Sequence, residues 1–141
     1  MPRLLLLLVM LGILPVTDYA QFIQTTTEKF TRADTLRGSL RPERNCYDVI
    51  HYNIDLELLV ADKAITGFVD MRFKVKNDFN RLQIDLFDNM IIDSILLGGQ
   101  KCTYTREFNA VFVDVPKQHS GTEATLRTYY QGRPVIAKNA P

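Results

Sequence analysis

The sequence predicts an all-β fold, an antiparallel sandwich or saddle-like β-domain of about seven short strands, behind an N-terminal signal peptide. Three observations carry this. From Tyr47 onward apolar and polar residues alternate with period two. Turn-forming residues break that alternation at short, regular intervals. No apolar stripe of helical period occurs, so helices have no face to bury.

The first segment is set apart from the fold. Arg3 gives a positive start, Leu4 to Leu14 is an unbroken apolar run, and Pro15 ends it. The run is too short to span a bilayer, which takes roughly 20 apolar residues, and it has the layout of a secretory signal peptide over residues 1–20. Cleavage after Ala20 is expected, although Asp18 stands where a small residue is preferred, and an uncleaved anchor is the alternative. The mature protein is then expected to be secreted or periplasmic, meeting a membrane only transiently through the signal peptide. Residues 21–44 are expected to form a flexible, Thr-rich lead-in followed by an ordered but irregular arm from Asp34 to Arg44.

Residues 45–131 are expected to form the β-domain. Tyr52, Ile54, Leu56 and Leu58 share one face of a first strand, with His51, Asn53, Asp55 and Glu57 on the other. After a turn at Ala61-Asp62-Lys63, Ile65, Gly67, Val69, Met71, Phe73 and Val75 line one face of a second strand, which completes a hairpin. Leu82 to Leu86 is a short third strand. Met90 to Leu97 is almost wholly apolar, as in a strand covered on both faces, and Gly98-Gly99 is a hairpin turn. Lys101 to Arg106 and Ala110 to Val115 pair across Glu107-Phe108-Asn109, and Pro116 is expected to end that pair. Lys117 to Glu123 is a polar loop, and Ala124 to Gln131 is the last strand, with Leu126 and Tyr130 on one face. Ile54, Leu56, Val69, Met71 and Ile84 are the expected inner-face core. Residues 132–141 are expected to be a linker toward a missing domain.

Composition narrows the function. The 141 residues carry 17 Lys and Arg against 16 Asp and Glu, which argues against a nucleic-acid binder working through a basic surface. Two Cys are too few for a disulfide framework. Cys46 and Cys102 are expected to be separate thiols, with a bridge as the alternative. His51 and His119 lack the spacing of a metal-binding pair, and with the two cysteines they lie on separate elements. Asp48, Asp55, Asp70, Asp85, Asp88, Asp93 and Asp114 match no calcium loop and are expected at solvent-facing or turn positions. Ser120-Gly121 lacks the setting of a nucleophile elbow. Tyr104, Phe108, Phe112, Tyr129 and Tyr130 are expected to pack in the core or across strands rather than to stack a ligand. No catalytic, cofactor-binding or metal residue is therefore assigned.

Residues 34–141 resemble the N-terminal β-domain of the aminopeptidase N family of zinc metallopeptidases, which includes the leukotriene hydrolases. Asp34 to Arg44 is similar to the lead-in of bacterial members. Asp48 to Leu58, DVIHYNIDLEL, resembles the family's first core strand, with Ile54 where Leu is more usual. Ile65-Thr66-Gly67 resembles the I-x-G that opens the next strand, Leu82 to Leu86 the L-x-L-D strand, and Tyr129 to Pro134 the Y-x-G close. The family's zinc-binding H-E-x-x-H and its amine-binding G-x-M-E-N occur nowhere in this sequence. The resemblance implies no zinc or other cofactor in this chain, zinc in a longer parent enzyme, and a partner in that parent's catalytic domain on the same polypeptide. It also implies an apolar docking patch left bare when the domain stands alone. A free-standing secreted β-sandwich that binds protein or carbohydrate is the alternative, and a complete small enzyme is a third reading.

The export reading is tested by N-terminal sequencing of the natural product, which is expected to begin near Gln21 outside the cytoplasm. An intact Met1 in a soluble cytoplasmic product would contradict it.

Overall fold

The computed structural model describes residues 29–136. The expected signal peptide, most of the expected lead-in and the end of the expected linker lie outside the described residues. Two short helices come first, α1 (Arg32–Gly38) and α2 (Pro42–Asn45). Eight strands follow: β1 (Tyr47–Leu59), β2 (Ala64–Val75), β3 (Phe79–Asp85), β4 (Met90–Leu97), β5 (Gln100–Lys101), β6 (Thr103–Glu107), β7 (Ala110–Gln118) and β8 (Glu123–Gly132). They form a five-stranded sheet in the order β1-β2-β8-β4-β5 and a three-stranded sheet in the order β3-β7-β6. Every pairing is antiparallel.

The expected turns are where the sequence puts them. Ala61 to Lys63 joins β1 to β2, with Lys63 at positive φ. Gly98 and Gly99, at φ +55 and +88, join β4 to β5, the backbone that a two-residue hairpin needs. β2 alternates as expected, with Met71, Phe73 and Val75 buried and Arg72 and Lys74 exposed. Gly67, at φ +155, sits so close to the Asp55 carbonyl that a Cβ would overlap it. A glycine is therefore required for β1 and β2 to approach at this point.

The inner faces of the two sheets pack together. Met71, Phe73, Val75, Ile95 and Leu126 of the large sheet meet Leu82, Val111, Val113 and Val115 of the small one in one buried cluster. Cys46 and Cys102 belong to it as free thiols, and burial pushes Cys46 up to about 11. At Cys102 the chain leaves the large sheet, after β5, and enters the small one as β6. The single expected strand from Lys101 to Arg106 is thus divided between two sheets.

Four further expectations are corrected. The arm is two helices: Thr31 caps α1 in a reciprocal box with Asp34, and Pro42 opens α2 at a position where its missing N–H costs nothing. β4 is covered on one face only, with Met90, Ile92, Ile95 and Leu97 buried and Ile91 exposed; a register shift between Ile92 and Ser94 keeps Ile95 on the inside. Pro116 does not end β7, because the β3–β7 ladder is irregular between Phe79 and Arg81, where their partners are Gln118 and Asp114, and a proline is tolerated at such a break. Of the expected core, Met71 is buried and Val69 and Ile84 are half-buried, but Ile54 and Leu56 are exposed.

The helical arm closes the outer face of the small sheet. Leu36 is buried against Ala110 and Phe112, and the guanidiniums of Arg41 and Arg81 lie over the Phe112 ring. Arg32 makes a bidentate pair with Glu107 at 2.9 and 3.1 Å. Arg44 donates to the Leu36 and Arg37 carbonyls and pairs with Asp85 at 3.0 Å. These carbonyls at the end of α1 have no partner within the helix, so a cation there is favourable. Buried Gln83 donates to the Leu36 carbonyl at 3.0 Å.

The outer face of the large sheet is polar and paired across strands. Arg72 meets Glu123, Gln131 meets Asp93, and Arg127 grips Asp70 while lying 4.1 Å from the centre of the Phe68 ring. Phe68 also packs on Tyr129 directly opposite it.

Two predictions follow from this packing. Leu36→Ala should lower the unfolding free energy by about 2–5 kcal/mol, through lost burial and the cavity left, and Gly67→Ala by at least about 2 kcal/mol. Leu56→Ala should cost about 1 kcal/mol or less, since Leu56 is already 41% exposed; urea unfolding midpoints read all three. The second concerns acid. The hydrogen bonds from Arg127 hold the Asp70 carboxyl below its ordinary value of 3.8. Because the folded-state value is depressed, the Asp70 pairing stabilises fully above the unfolded value and is lost as pH falls below about 4. Asp70→Asn should therefore lower stability near neutrality and flatten the acid limb of a stability-against-pH curve.

Candidate docking face

The register of the large sheet sets its inner side chains in rows. Leu58 lies opposite Ile65, Leu56 opposite Gly67, Ile54 opposite Val69, and Tyr52 opposite Met71. On the other side of β2, Met71 lies opposite Leu126, Val69 opposite Thr128, and Gly67 opposite Tyr130. Near Leu126 the small sheet covers these rows. Toward β1 it does not. Tyr52, Ile54, Leu56 and Leu58 are 53, 60, 41 and 68% exposed, although they occupy the face that faces the core elsewhere.

The sequence pattern was thus right about which side chains share a face and wrong about what covers it. Where the small sheet stops, a groove of about 370 Å³ opens between the sheets. Tyr52, Val69, Met71, Ile84, Leu126 and Tyr130 line it, and the Arg44–Asp85 pair stands at its margin. Tyr47 closes part of it by donating its hydroxyl to the Gln83 carbonyl at 2.7 Å. Burial pushes the Tyr47 hydroxyl up to about 12 and Tyr130 in the same direction. Covering Ile54, Leu56 and Leu58 would stabilise an assembly by about 1–2 kcal/mol each from the apolar area still in water. The arrangement suits binding by shape and apolar contact.

The other residues weighed from the sequence do not converge. His51 is exposed on the outer face of β1, opposite Arg72. Asp70, Asp85 and Asp114 are held by Arg127, Arg44 and Arg81 rather than simply facing solvent. Phe112 is buried, Tyr129 packs across strands, and Phe108 stands exposed at positive φ at the tip of the β6–β7 hairpin. Sequence reading missed one cluster. Asp78 accepts from the Ser120 backbone N–H at 2.9 Å and lies 3.2 Å from His119 Nδ1. It is no catalytic triad, because Ser120 Oγ donates to the Lys76 carbonyl and not to the imidazole, as an activated nucleophile would. Its work is to hold the turn between β7 and β8.

Among the described residues no three His, Cys, Asp or Glu side chains are grouped to hold a metal ion. Nor is any described helix long and apolar enough to cross a membrane.

No protein-family model matches the sequence, and no curated protein matches it. Solved structures do. An M1 zinc metallopeptidase from Deinococcus radiodurans, bound to a Tyr-Ser-Ala substrate, is similar with a TM-score of 0.57 and 21% identity, over 68% of this chain and 22% of that one. A two-domain M1 zinc metallopeptidase bound to L-arginine gives 0.55 and 22%, over the same shares. Leukotriene A4 hydrolase from Saccharomyces cerevisiae gives 0.51 and 17%, over 73% of this chain and 19% of that one. The chain thus spans about a fifth of the length of the structures it matches, and its β-domain has a fold found in M1 zinc metallopeptidases, the family that its sequence resembles.

Proposed function

We propose that this chain is the non-catalytic N-terminal β-domain of an exported zinc aminopeptidase. In this reading the face made by Tyr52, Ile54, Leu56 and Leu58 packs on the catalytic domain of the same polypeptide and walls one side of its cleft. The parent removes N-terminal residues from peptides using a zinc ion held outside residues 1–141, and peptide meets this domain only through the parent. The observation that carries the reading is the bare inner face of β1. Four large apolar side chains stand in water on the side of the sheet that is core elsewhere, which marks a surface that another body covers. The fold shared with M1 zinc metallopeptidases supports the choice of that body.

The test uses the natural gene and its product. Sequence past the codon for Pro141 is expected to encode G-x-M-E-N and then H-E-x-x-H with a later Glu. The 141-residue chain by itself is expected to cleave no aminoacyl reporter. Ile54→Lys with Leu58→Lys should leave its unfolding free energy within about 0.5 kcal/mol for each exposed site, while reducing its self-association and its binding of an apolar dye. In the longer product the same pair should loosen domain packing and lower peptidase activity. An in-frame stop after Pro141 without those motifs would favour a free-standing binding module instead.

A further inference from the structure

The bare face has a bare edge beside it. β1 ends the order β1-β2-β8-β4-β5 and, among the described residues, has a strand neighbour on one side only. Alternate N–H and C=O groups along its 13 residues point away from β2 and have no ladder partner among the described residues. Finished domains blunt such edges with short strands, Pro, Lys, inward charges or bulges. The opposite edge of this sheet follows that rule, since β5 is two residues long. β1 does not. From His51 to Leu59 it has no Pro and no Lys, its inner row is uncharged, and its register with β2 is unbroken from His51 opposite Arg72 to Leu59 opposite Ala64. The one irregularity, between Val49 and His51, lies before the bare stretch begins.

The outer row adds a chemical preference. Asp55 and Glu57 lie opposite Phe68 and Thr66 on β2, so no cation faces either from the strand beside it. A second copy of this chain, paired antiparallel about Leu56, would set Asp55 against the other copy's Glu57, and directly opposed like charges are destabilising. A strand carrying cations at alternate positions has the complementary charge.

We propose that β1 accepts a further strand: an extended segment of the parent polypeptide in which apolar residues alternate with Lys or Arg. Its backbone continues the ladder, its apolar side chains extend the inner face beside Tyr52, Ile54, Leu56 and Leu58, and its basic side chains meet Asp55 and Glu57. This rests on the proposed docking role, which supplies the polypeptide, and adds main-chain pairing to it.

The test presents the 141-residue chain with a short peptide alternating Val and Lys. The comparisons are a Val and Glu peptide and a Val and Lys peptide N-methylated on alternate amides. The Val and Lys peptide is expected to bind about tenfold or more tighter than either comparison and to slow amide exchange along β1. Asp55→Lys with Glu57→Lys, both at exposed positions, should reverse the charge preference. Equal binding of the N-methylated and unmodified peptides would overturn the proposal and leave face-only docking standing. Equal binding of the Lys and Glu peptides would overturn the assigned chemistry. A chain that sediments as a dimer and excludes the peptide would overturn it in favour of a second copy. Failure of all peptides to bind, with the longer product's domain packing unmoved by Ile54→Lys, would overturn the docking role as well.

Discussion

Met71, Phe73 and Leu126 pack against Leu82, Val111 and Val113 where two sheets of unequal width overlap. Three strands cannot shelter five. Everything distinctive about the molecule follows from how that difference is handled. On the side of the short strand β5 the large sheet simply stops. On the side of β1 it continues for a further 13-residue strand, and the small sheet covers Tyr47 and Val49 in part but leaves the inner row from Tyr52 to Leu58 in water. The polar outer face needs no cover, since Arg72, Asp70, Arg127 and Gln131 are paired across strands.

The small sheet solves its own exposure differently. Phe112 and Ala110 on its outer face are roofed by Leu36, and the roof is fastened by Arg32 and Arg44. Hydrogen bonds to Arg32 keep Glu107 below the usual carboxylate range, so this fastening also belongs to neutral pH. The arm thus completes one sheet while nothing in the described chain completes the other.

Much of this was legible in the sequence, and the remainder has definite causes. Alternation identified β2 and β8, and glycine and turn residues placed the hairpins, because both signals are local. The capping box at Thr31 and Asp34 is also local, but a seven-residue helix and a four-residue helix are too short to display a 3.6 period. Division of the chain between sheets at Cys102 is a tertiary event with no local mark. The exposure of the β1 row was hidden for a further reason. Tyr52, Ile54, Leu56 and Leu58 read as core because an apolar side chain that the second sheet covers and one that it leaves in water are the same residue type. Periodicity assigns faces, and only the third dimension says which face is covered.

The sheet order has one more consequence, for the order of assembly. β8 lies between β2 and β4, so the last of the described strands fills the middle of the large sheet. Until Glu123–Gly132 has been made, β2 has only β1 beside it and β4 has only the two residues of β5. Pairing Phe68 with Tyr129 closes a long loop, and such non-local closures are slow. The β1–β2 hairpin is local and is available first. During synthesis that hairpin must therefore wait with its apolar rows and both of its edges open until β8 slides in beside β2, and among the described residues the β1 edge and the row from Tyr52 to Leu58 stay bare even then.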